Sequence, residues 1–207
     1  MKHLIFDFDG TISNSYPLFV CFLHRYATQH GLPFLLDDET VERALRINLR
    51  HGFERLGWQN HVKYQVFLDA FHDFQETDAL SFQPFPEAVE LLRSAHAKSK
   101  RLYLYTHTGT VVNKMICNMG LDHLFTFVLD QSYQFPAKPA PDALLFLIQK
   151  FDLDTKDCMM IGDRPIDAEA GINAGMSGCL WDRDGLYPNA NVTYKVKFLS
   201  EIQNLLD

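Results

Sequence analysis

The stretch HLIFDFDGT, residues 3–11, joins a short apolar run to two aspartates and a glycine. An apolar run without alternating polar residues, such as residues 4–6, is typical of a strand buried on both faces. Alternate residues of an extended chain point the same way, so Asp7 and Asp9 can face one site while Phe8 points into the core. The stretch therefore predicts a buried strand that delivers two carboxylates at its carboxyl end.

Four further apolar runs follow, at residues 102–105, 125–129, 158–161 and, more weakly, 177–181. Helical patterns separate them, and these begin at Pro86, Val111, Pro141 and Pro165, with a last short pattern over residues 200–206. Proline suits the first turn of a helix because its fixed backbone angle is already helical. The alternation of strands and helices predicts an α/β fold, a doubly wound (Rossmann-like) parallel sheet with helices on both faces.

Residues 16–83 do not follow this alternation, because three helical patterns run there in succession. The first runs from Pro17 to Gly31. The apolar residues expected to share a face are Val41, Leu45, Leu49 and Leu56 in the second pattern, and Val62, Val66, Ala70 and Phe74 in the third. We interpret residues 16–83 as a small helical insertion after the first strand, and residues 1–15 and 84–207 as the α/β core.

Composition excludes several classes of protein. The chain has 207 residues, of which 47% are hydrophobic and 22% charged, as in ordinary globular proteins and unlike disordered or collagen-like chains. Its net charge of −7 disfavours a nucleic-acid partner. The longest apolar run, residues 16–23, is far shorter than the roughly 20 residues that span a membrane. Without a signal-peptide pattern either, we expect a cytoplasmic protein, a monomer or weak homodimer, with no membrane partner.

The four cysteines, at positions 21, 117, 158 and 179, form no C-x-x-C pair and lie in apolar runs. We expect buried reduced thiols rather than a metal site or a disulfide.

Asp7 and Asp9 form the first candidate for chemistry. Two carboxylates held close together cannot both ionise cheaply, so the pKa of one should rise. One is then suited to nucleophilic attack and the other to proton transfer. The alternative is a strand that ends in an Asp-Gly turn with solvated acids.

The stretch GDRPID, residues 162–167, follows another strand and opens a helix. Asp163 would lie at the carboxyl end of that strand and Asp167 one helical turn later. Together with Asp7 they offer hard oxygen ligands of the kind that Mg²⁺ takes. The alternative is an aspartate that caps the helix.

Two further segments supply groups for an anion. Thr106 and its neighbours in THTG, residues 106–109, offer a hydroxyl and backbone N–H groups before a helix. Lys138 lies in a loop before the Pro141 helix. Taken alone, Thr106 favours a helix cap, and Lys138 favours a solvated surface residue. However, ligands of open parallel sheets bind outside the carboxyl ends of the strands, where these segments converge. The positive charge of Lys138 and Mg²⁺ would let a phosphate dianion approach the aspartates.

In this combination the sequence resembles the haloacid dehalogenase-like superfamily. The resemblance covers nearly the whole chain, in order: DFDGT at residues 7–11, a strand ending at Thr106, then Lys138, then GDRPID at residues 162–167. The helical insertion resembles the cap of the phosphoglycolate phosphatase-like subgroup, and residues 145–176 are similar to that subgroup too. The resemblance implies that residues 16–83 are a small helical cap and that residues 1–15 and 84–207 are the α/β catalytic core.

The resemblance implies a role for each matching position. Asp7 attacks phosphorus, Asp9 acts as acid and then base, and Thr106 and Lys138 hold the phosphate. The implied Mg²⁺ ligands are Asp7, the backbone carbonyl of Asp9, Asp163 and, in support, Asp167. The residues implied to contact phosphate or substrate are Gly10, Thr11, His107, Thr108 and Arg164. Arg164 stands where the family usually has a small residue, and His107 where asparagine is common.

These implications predict a Mg²⁺-dependent phosphatase that hydrolyses a small phosphorylated metabolite through an aspartyl-phosphate on Asp7. The alternatives are a phosphomutase or other phosphotransferase, and a non-catalytic phosphate-binding regulatory protein. A dehalogenase is disfavoured, because those relatives lack the second acid, here Asp9. In the cap, Arg43, Arg46 and Arg50 share a predicted helix face and offer charge for a second anionic group, unless they simply pair with Glu39 and Glu42.

Overall fold

The computed structural model describes residues 1–206, and its centre is a six-stranded sheet. The strands are β1 His3–Phe6, β2 Arg101–Tyr105, β3 Phe125–Leu129, β4 Cys158–Gly162, β5 Ser177–Trp181 and β6 Tyr194–Val196. The α-helices in the described residues are α1 Tyr16–His30, α2 Asp38–Ile47, α3 Leu49–Arg55, α4 Tyr64–Thr77, α5 Pro86–Ala97, α6 Val111–Asn118, α7 Asp142–Phe151, α8 Pro165–Asn173 and α9 Ser200–Gln203.

The sheet is parallel throughout, in the order β3-β2-β1-β4-β5-β6, with helices on both sides. Phe6 of β1 is in register with Leu104 of β2 on one side and with Ile161 of β4 on the other. The predicted doubly wound α/β fold is therefore confirmed. The strand order reverses between β1 and β4, and such a switch point leaves a crevice at the carboxyl ends of the two strands.

Burial explains which strands the sequence predicts. Every residue of β4 is buried, as are Leu4–Phe6 of the central β1, so both read as uninterrupted apolar runs. The edge strand β6 has only three residues, of which one, Val196, is buried. It leaves no apolar run, so it is not among the strands predicted from the sequence.

Local residue chemistry sets the helix ends in the core. Proline occupies the first turn of α5 and of α8. At the start of α8 the Asp167 carboxylate accepts a bond from the backbone N–H of Arg164, at 3.1 Å. This bond satisfies an N–H group at the helix terminus and fixes the side chain of Asp167.

The chain forms two compact units: Met1–Ser13 with the chain from Pro84 onward, and Asn14–Gln83. The second unit comprises α1 to α4 around an aromatic core. The rings of Phe22 and Phe74 stack at 4.9 Å, and those of Phe53 and Phe67 also lie 4.9 Å apart. Trp58 is fully buried, and its indole N–H donates to a backbone carbonyl.

Two expectations for this second unit are wrong, although Phe74 is buried as predicted. The second predicted helix is split, because Asn48 is extended and its side chain caps α3 by accepting the N–H of His51 at 2.7 Å. In α4 the buried face carries Phe67, Phe71 and Phe74, whereas Val66 is 52% exposed. The larger apolar area of the phenylalanines decides which face is buried.

The cysteine prediction is confirmed in part. All four thiols are free, as expected, but Cys21 and Cys117 are exposed, so burial holds only for Cys158 and Cys179. Separately, none of the helices within residues 1–206 is long and apolar enough to cross a membrane.

Candidate active site

Three strands of the core each deliver one polar side chain to the same edge of the sheet. Asp7 follows β1, Thr106 follows β2 and Asp163 follows β4. The backbone N–H of Asp7 donates to the Ile161 carbonyl of β4 at 2.9 Å, so the ladder continues up to the site. All three side chains are buried.

Lys138 lies at the centre of this cluster. Its ammonium donates to Asp7 Oδ1 at 2.5 Å, to Asp167 Oδ1 at 2.9 Å and to the Tyr105 carbonyl at 3.0 Å. The Tyr105 ring lies 4.5 Å from Nζ, within range of a cation–π contact. The Lys138 side chain has no exposed area, so its alternative interpretation as a solvated loop residue is wrong.

The aspartates offer a site that fits a divalent cation. One carboxylate oxygen from each of Asp7, Asp163 and Asp167 lies within 4.8 Å of the others. Asp7 Oδ2 is buried and has no hydrogen-bond partner among residues 1–206, which suits it to a ligand. Asp167 differs, because its Oδ1 and Oδ2 accept from Lys138 and from the Arg164 N–H. Hard oxygen donors of this kind are the usual ligands of Mg²⁺.

Close packing around Asp167 depends on Gly162. A Cβ atom on Gly162 would lie 2.3 Å from Asp167 Cβ, closer than real side chains approach each other. The glycine at the end of β4 therefore makes room for the aspartate.

Burial and charge set the protonation of the cluster without a cation. Burial raises the pKa of Asp7 to about 7, although Lys138 opposes the shift. Burial also disfavours the charged forms of Asp167 and Lys138, but the charge of each residue stabilises the charged form of the other. The pKa of Asp167 is therefore lowered and that of Lys138 raised. Lys138 thus remains an ammonium among carboxylates.

Thr106, Thr108 and Asp9 form a second, connected group. The Thr108 hydroxyl donates to Asp9 Oδ2 at 2.6 Å, and the Thr108 N–H donates to Thr106 Oγ1 at 3.0 Å. Thr106 and Thr108 are buried, whereas Asp9 is partly exposed. The structure thus joins Asp9 to the loop after β2.

His107 and Arg164 flank the cluster. His107 Nε2 accepts the backbone N–H of Lys138 at 3.2 Å, which requires an unprotonated nitrogen. Burial, followed by the charges of Lys138 and Arg164, lowers the pKa of His107 to about 4. Arg164 Nε lies 3.8 Å from Asp167 Oδ2, so the guanidinium adds positive charge beside the carboxylates.

The turn after β1 contains the remaining two predicted residues. Gly10 has a φ of 82°, a conformation that glycine adopts without strain, and its N–H donates to the Ser13 carbonyl. The Thr11 hydroxyl is buried and has no hydrogen-bond partner within the described chain.

Tyr105 is a functional residue that its sequence context does not reveal. Its carbonyl and ring contact Lys138, yet in the sequence it is one more apolar residue of a buried strand. Its position directly before Thr106 was the only available signal.

The three arginines of the second unit do not form one face. Arg43 pairs with Glu39 at 2.5 Å at the surface. Arg46 is buried, pairs with Glu42 at 2.8 Å and lies 4.8 Å from the Tyr16 ring. Arg50 lies beyond the break at Asn48, in α3, with its guanidinium 3.9 Å from the Tyr64 ring. The predicted pairing with Glu39 and Glu42 is confirmed, and the shared face is wrong.

Comparison with known proteins gives consistent results. The chain is 29% identical over 187 residues to a phosphoglycolate phosphatase of Psychrobacter arcticus, covering 84% of this chain and 80% of that protein. It is 26% identical over 217 residues to a haloacid dehalogenase-like hydrolase domain-containing protein of Arabidopsis thaliana, covering 100% and 84%. A solved structure from Haemophilus somnus, described as a predicted phosphoglycolate phosphatase, has the same fold. Its TM-score is 0.85 at 20% identity, over 100% of this chain and 98% of that one.

The family model of haloacid dehalogenase-like hydrolases matches residues 4–180, which include every residue of the cluster described above. The chain therefore belongs to the haloacid dehalogenase-like hydrolase family.

Proposed function

We propose that this phosphoric monoester hydrolase works through a phosphoryl-enzyme on Asp7, with Mg²⁺ bound by the neighbouring aspartates. The observation that carries the proposal is the buried Lys138 ammonium, held between Asp7 and Asp167 at 2.5 and 2.9 Å. Burial removes the Lys138 ammonium from water, which is unfavourable unless anions surround it. An ammonium held in this way is suited to stabilise the carboxylates and the negative charge of a phosphate.

The chemistry divides between the two acids of the first motif. An oxygen of Asp7 attacks phosphorus while the bond to the ester oxygen breaks, and Asp9 donates a proton to that leaving oxygen. Water then attacks phosphorus of the aspartyl-phosphate while the bond between the Asp7 oxygen and phosphorus breaks, and the Asp9 carboxylate takes a proton from that water. Inorganic phosphate is released, and Asp7 and Asp9 regain their starting forms.

The ligand assignment for Mg²⁺ follows from the hydrogen bonds. Asp7 Oδ2 has no partner among the described residues, so we assign it, with Asp163, to direct coordination. The Asp9 backbone carbonyl is added as a ligand on the family resemblance alone. Both oxygens of Asp167 accept bonds from protein donors, so we assign Asp167 to holding Lys138 and the start of α8. When bound, Mg²⁺ would neutralise carboxylate and phosphate charge.

Phosphate binding involves groups on two loops. Thr106 Oγ1 accepts the Thr108 N–H, so the Thr106 hydroxyl proton is available for a phosphate oxygen. Three aspartates and a phosphate dianion carry about −5, against +4 from Mg²⁺, Lys138 and Arg164. Arg164 thus improves the charge balance, which supports its predicted place near substrate. The roles of Gly10, Thr11 and His107 toward phosphate remain predictions.

The substrate class is a small phosphorylated metabolite. Relatives that act on phosphoglycolate, by their names, suggest a phosphorylated hydroxy acid of that size. Asp9 favours phosphate over a halide leaving group, since only an oxygen leaving group needs a proton. The intact set of acids favours catalysis over phosphate binding alone.

The decisive experiment separates Asp7 from Asp9 with p-nitrophenyl phosphate, whose leaving group hardly needs a proton. Asp9→Asn should transfer one phosphoryl group to Asp7 and then stall, because no base activates water. Acid quench and intact-protein mass should show the phosphorylated species with a single burst of nitrophenol. Asp7→Asn should show neither.

A phosphorylated species in Asp7→Asn would overturn the nucleophile assignment. Turnover of wild-type protein should also stop in excess chelator and return with Mg²⁺. Undiminished turnover in chelator would remove Mg²⁺ from the mechanism.

A further inference from the structure

We propose that Thr108 is a positioning residue that fixes the Asp9 carboxyl and the Thr106 hydroxyl with one side chain and its own backbone. This inference rests on the proposed function, because it concerns how the acid in that mechanism is oriented. It assigns Thr108 to Asp9 rather than to phosphate.

The bonds of Thr108 hold it on three sides. Its hydroxyl donates to Asp9 Oδ2 at 2.6 Å, and its N–H donates to Thr106 Oγ1 at 3.0 Å. Its carbonyl accepts the N–H of Gln131 at 3.1 Å. Thr108 is only 4% exposed. Both of its hydrogen-bond donors are therefore used inside the protein, and neither is left for a phosphate oxygen.

The contact with Asp9 decides which oxygen carries the catalytic proton. A carboxylate accepts hydrogen bonds and donates none, so Thr108 must be the donor while Asp9 is ionised. If Oδ2 keeps this bond when Asp9 is neutral, the proton lies on Oδ1. The leaving oxygen then receives its proton from Oδ1, and the carboxyl plane cannot rotate without breaking the 2.6 Å bond.

The second bond acts on Thr106. Because the Thr106 oxygen accepts from Thr108, its own proton must point elsewhere, and we assign that direction to a phosphate oxygen. One residue in the loop after β2 thus sets the geometry of the proton donor on the β1 loop and of a phosphate donor on its own loop. Such orientation contributes to rate because the reacting groups are aligned before reaction.

The test uses Thr108→Val, which keeps the shape of threonine and removes the hydroxyl. Two esters of matched size, phenyl phosphate and p-nitrophenyl phosphate, differ in how strongly the leaving oxygen needs a proton. We expect kcat/KM of Thr108→Val to fall about 10-fold or more with phenyl phosphate and less than about threefold with p-nitrophenyl phosphate. Thr108→Ser should restore most of the loss, and Thr110→Val, at an exposed threonine two residues later, serves as the matched control.

Equal losses with both esters would overturn the proposal, because a general effect on folding or phosphate binding does not distinguish leaving groups. No loss with either ester would overturn it as well. Asp9→Asn separates this result from a failure of the proposed function, and because it stalls after one turnover, the rate of its single burst is compared between the two esters. If Asp9→Asn discriminates between the esters and Thr108→Val does not, only the Thr108 inference fails. If Asp9→Asn does not discriminate, the acid assignment itself fails.

Discussion

Replacing Lys138 by methionine should cost stability as well as activity. Methionine has a similar length and no charge, so the change leaves the Asp7 and Asp167 carboxylates buried without their shared cation. Removing one partner of a buried ion pair typically costs about 3–5 kcal/mol, and here one cation serves two carboxylates with at most 3% side-chain exposure. At roughly 2–4 °C per kcal/mol for a chain of this size, Tm should fall by about 6–20 °C.

The size of this loss should depend on pH. Without the ammonium, the folded-state pKa values of both carboxyls rise above their unfolded values near 4. Groups whose pKa is raised by folding cost stability as pH increases through the folded value. The variant should therefore lose more stability at pH 8 than at pH 5. Urea unfolding at both pH values, in chelator so that no cation replaces the lysine, measures this difference.

Two further variants make the result specific. Lys156→Met, at an exposed lysine, should change stability by less than about 0.5 kcal/mol at either pH. Adding Asp167→Asn to Lys138→Met should recover part of the loss, because one buried charge is removed. A loss below about 1 kcal/mol, independent of pH, would show that Lys138 is solvated and refute the reasoning. Activity should fall by about 10² to 10⁴ in rate.

Three further predictions concern stability, measured by urea unfolding. Gly178→Ala should cost more than about 1 kcal/mol, because the added Cβ would lie 2.2 Å from a carbonyl oxygen of α8, whereas Gly109→Ala, with no atom within 4 Å, should not. Wild-type protein should lose stability as pH falls from 6.5 toward 4, because His107 is protonated more readily when unfolded; His107→Gln should lose less over that window. Arg46→Ala should destabilise the protein by about 1–3 kcal/mol, because it removes one partner of a buried ion pair. Arg43→Ala, at an exposed arginine, should destabilise it by less than about 0.5 kcal/mol.

The strands and the acidic motifs were predictable because burial on both faces leaves an uninterrupted apolar run. Asp7 and Asp163 each follow such a run directly, so the parallel sheet brings them together whatever the chain does between them. β6 could not be predicted in this way, since a three-residue edge strand with one buried side chain leaves no periodic signal.

Contacts between segments distant in the sequence were the main features of the site that could not be predicted from the sequence. The hydrogen bond from Thr108 to Asp9 joins residues 99 apart, and that from Lys138 to Asp7 joins residues 131 apart. The burial of Lys138 is a product of the tertiary fold, whereas its local sequence is that of an ordinary polar loop. In α4, periodicity alone favoured a face through Val66 and Phe74, whereas the buried face is the one that Phe74 shares with Phe67 and Phe71.

The central position of β1 has a consequence for the order of events during translation. β1 ends at residue 6, yet its two neighbours in the sheet begin at residues 101 and 158. At about 5–20 residues per second, the ribosome needs roughly 8–30 s after β1 to begin β4. During that interval the nascent chain holds an apolar strand with at most one neighbour. Asp163 and Asp167 are synthesised only after β4, so a truncated chain released before that point contains Asp7 but lacks the complete set of carboxylates.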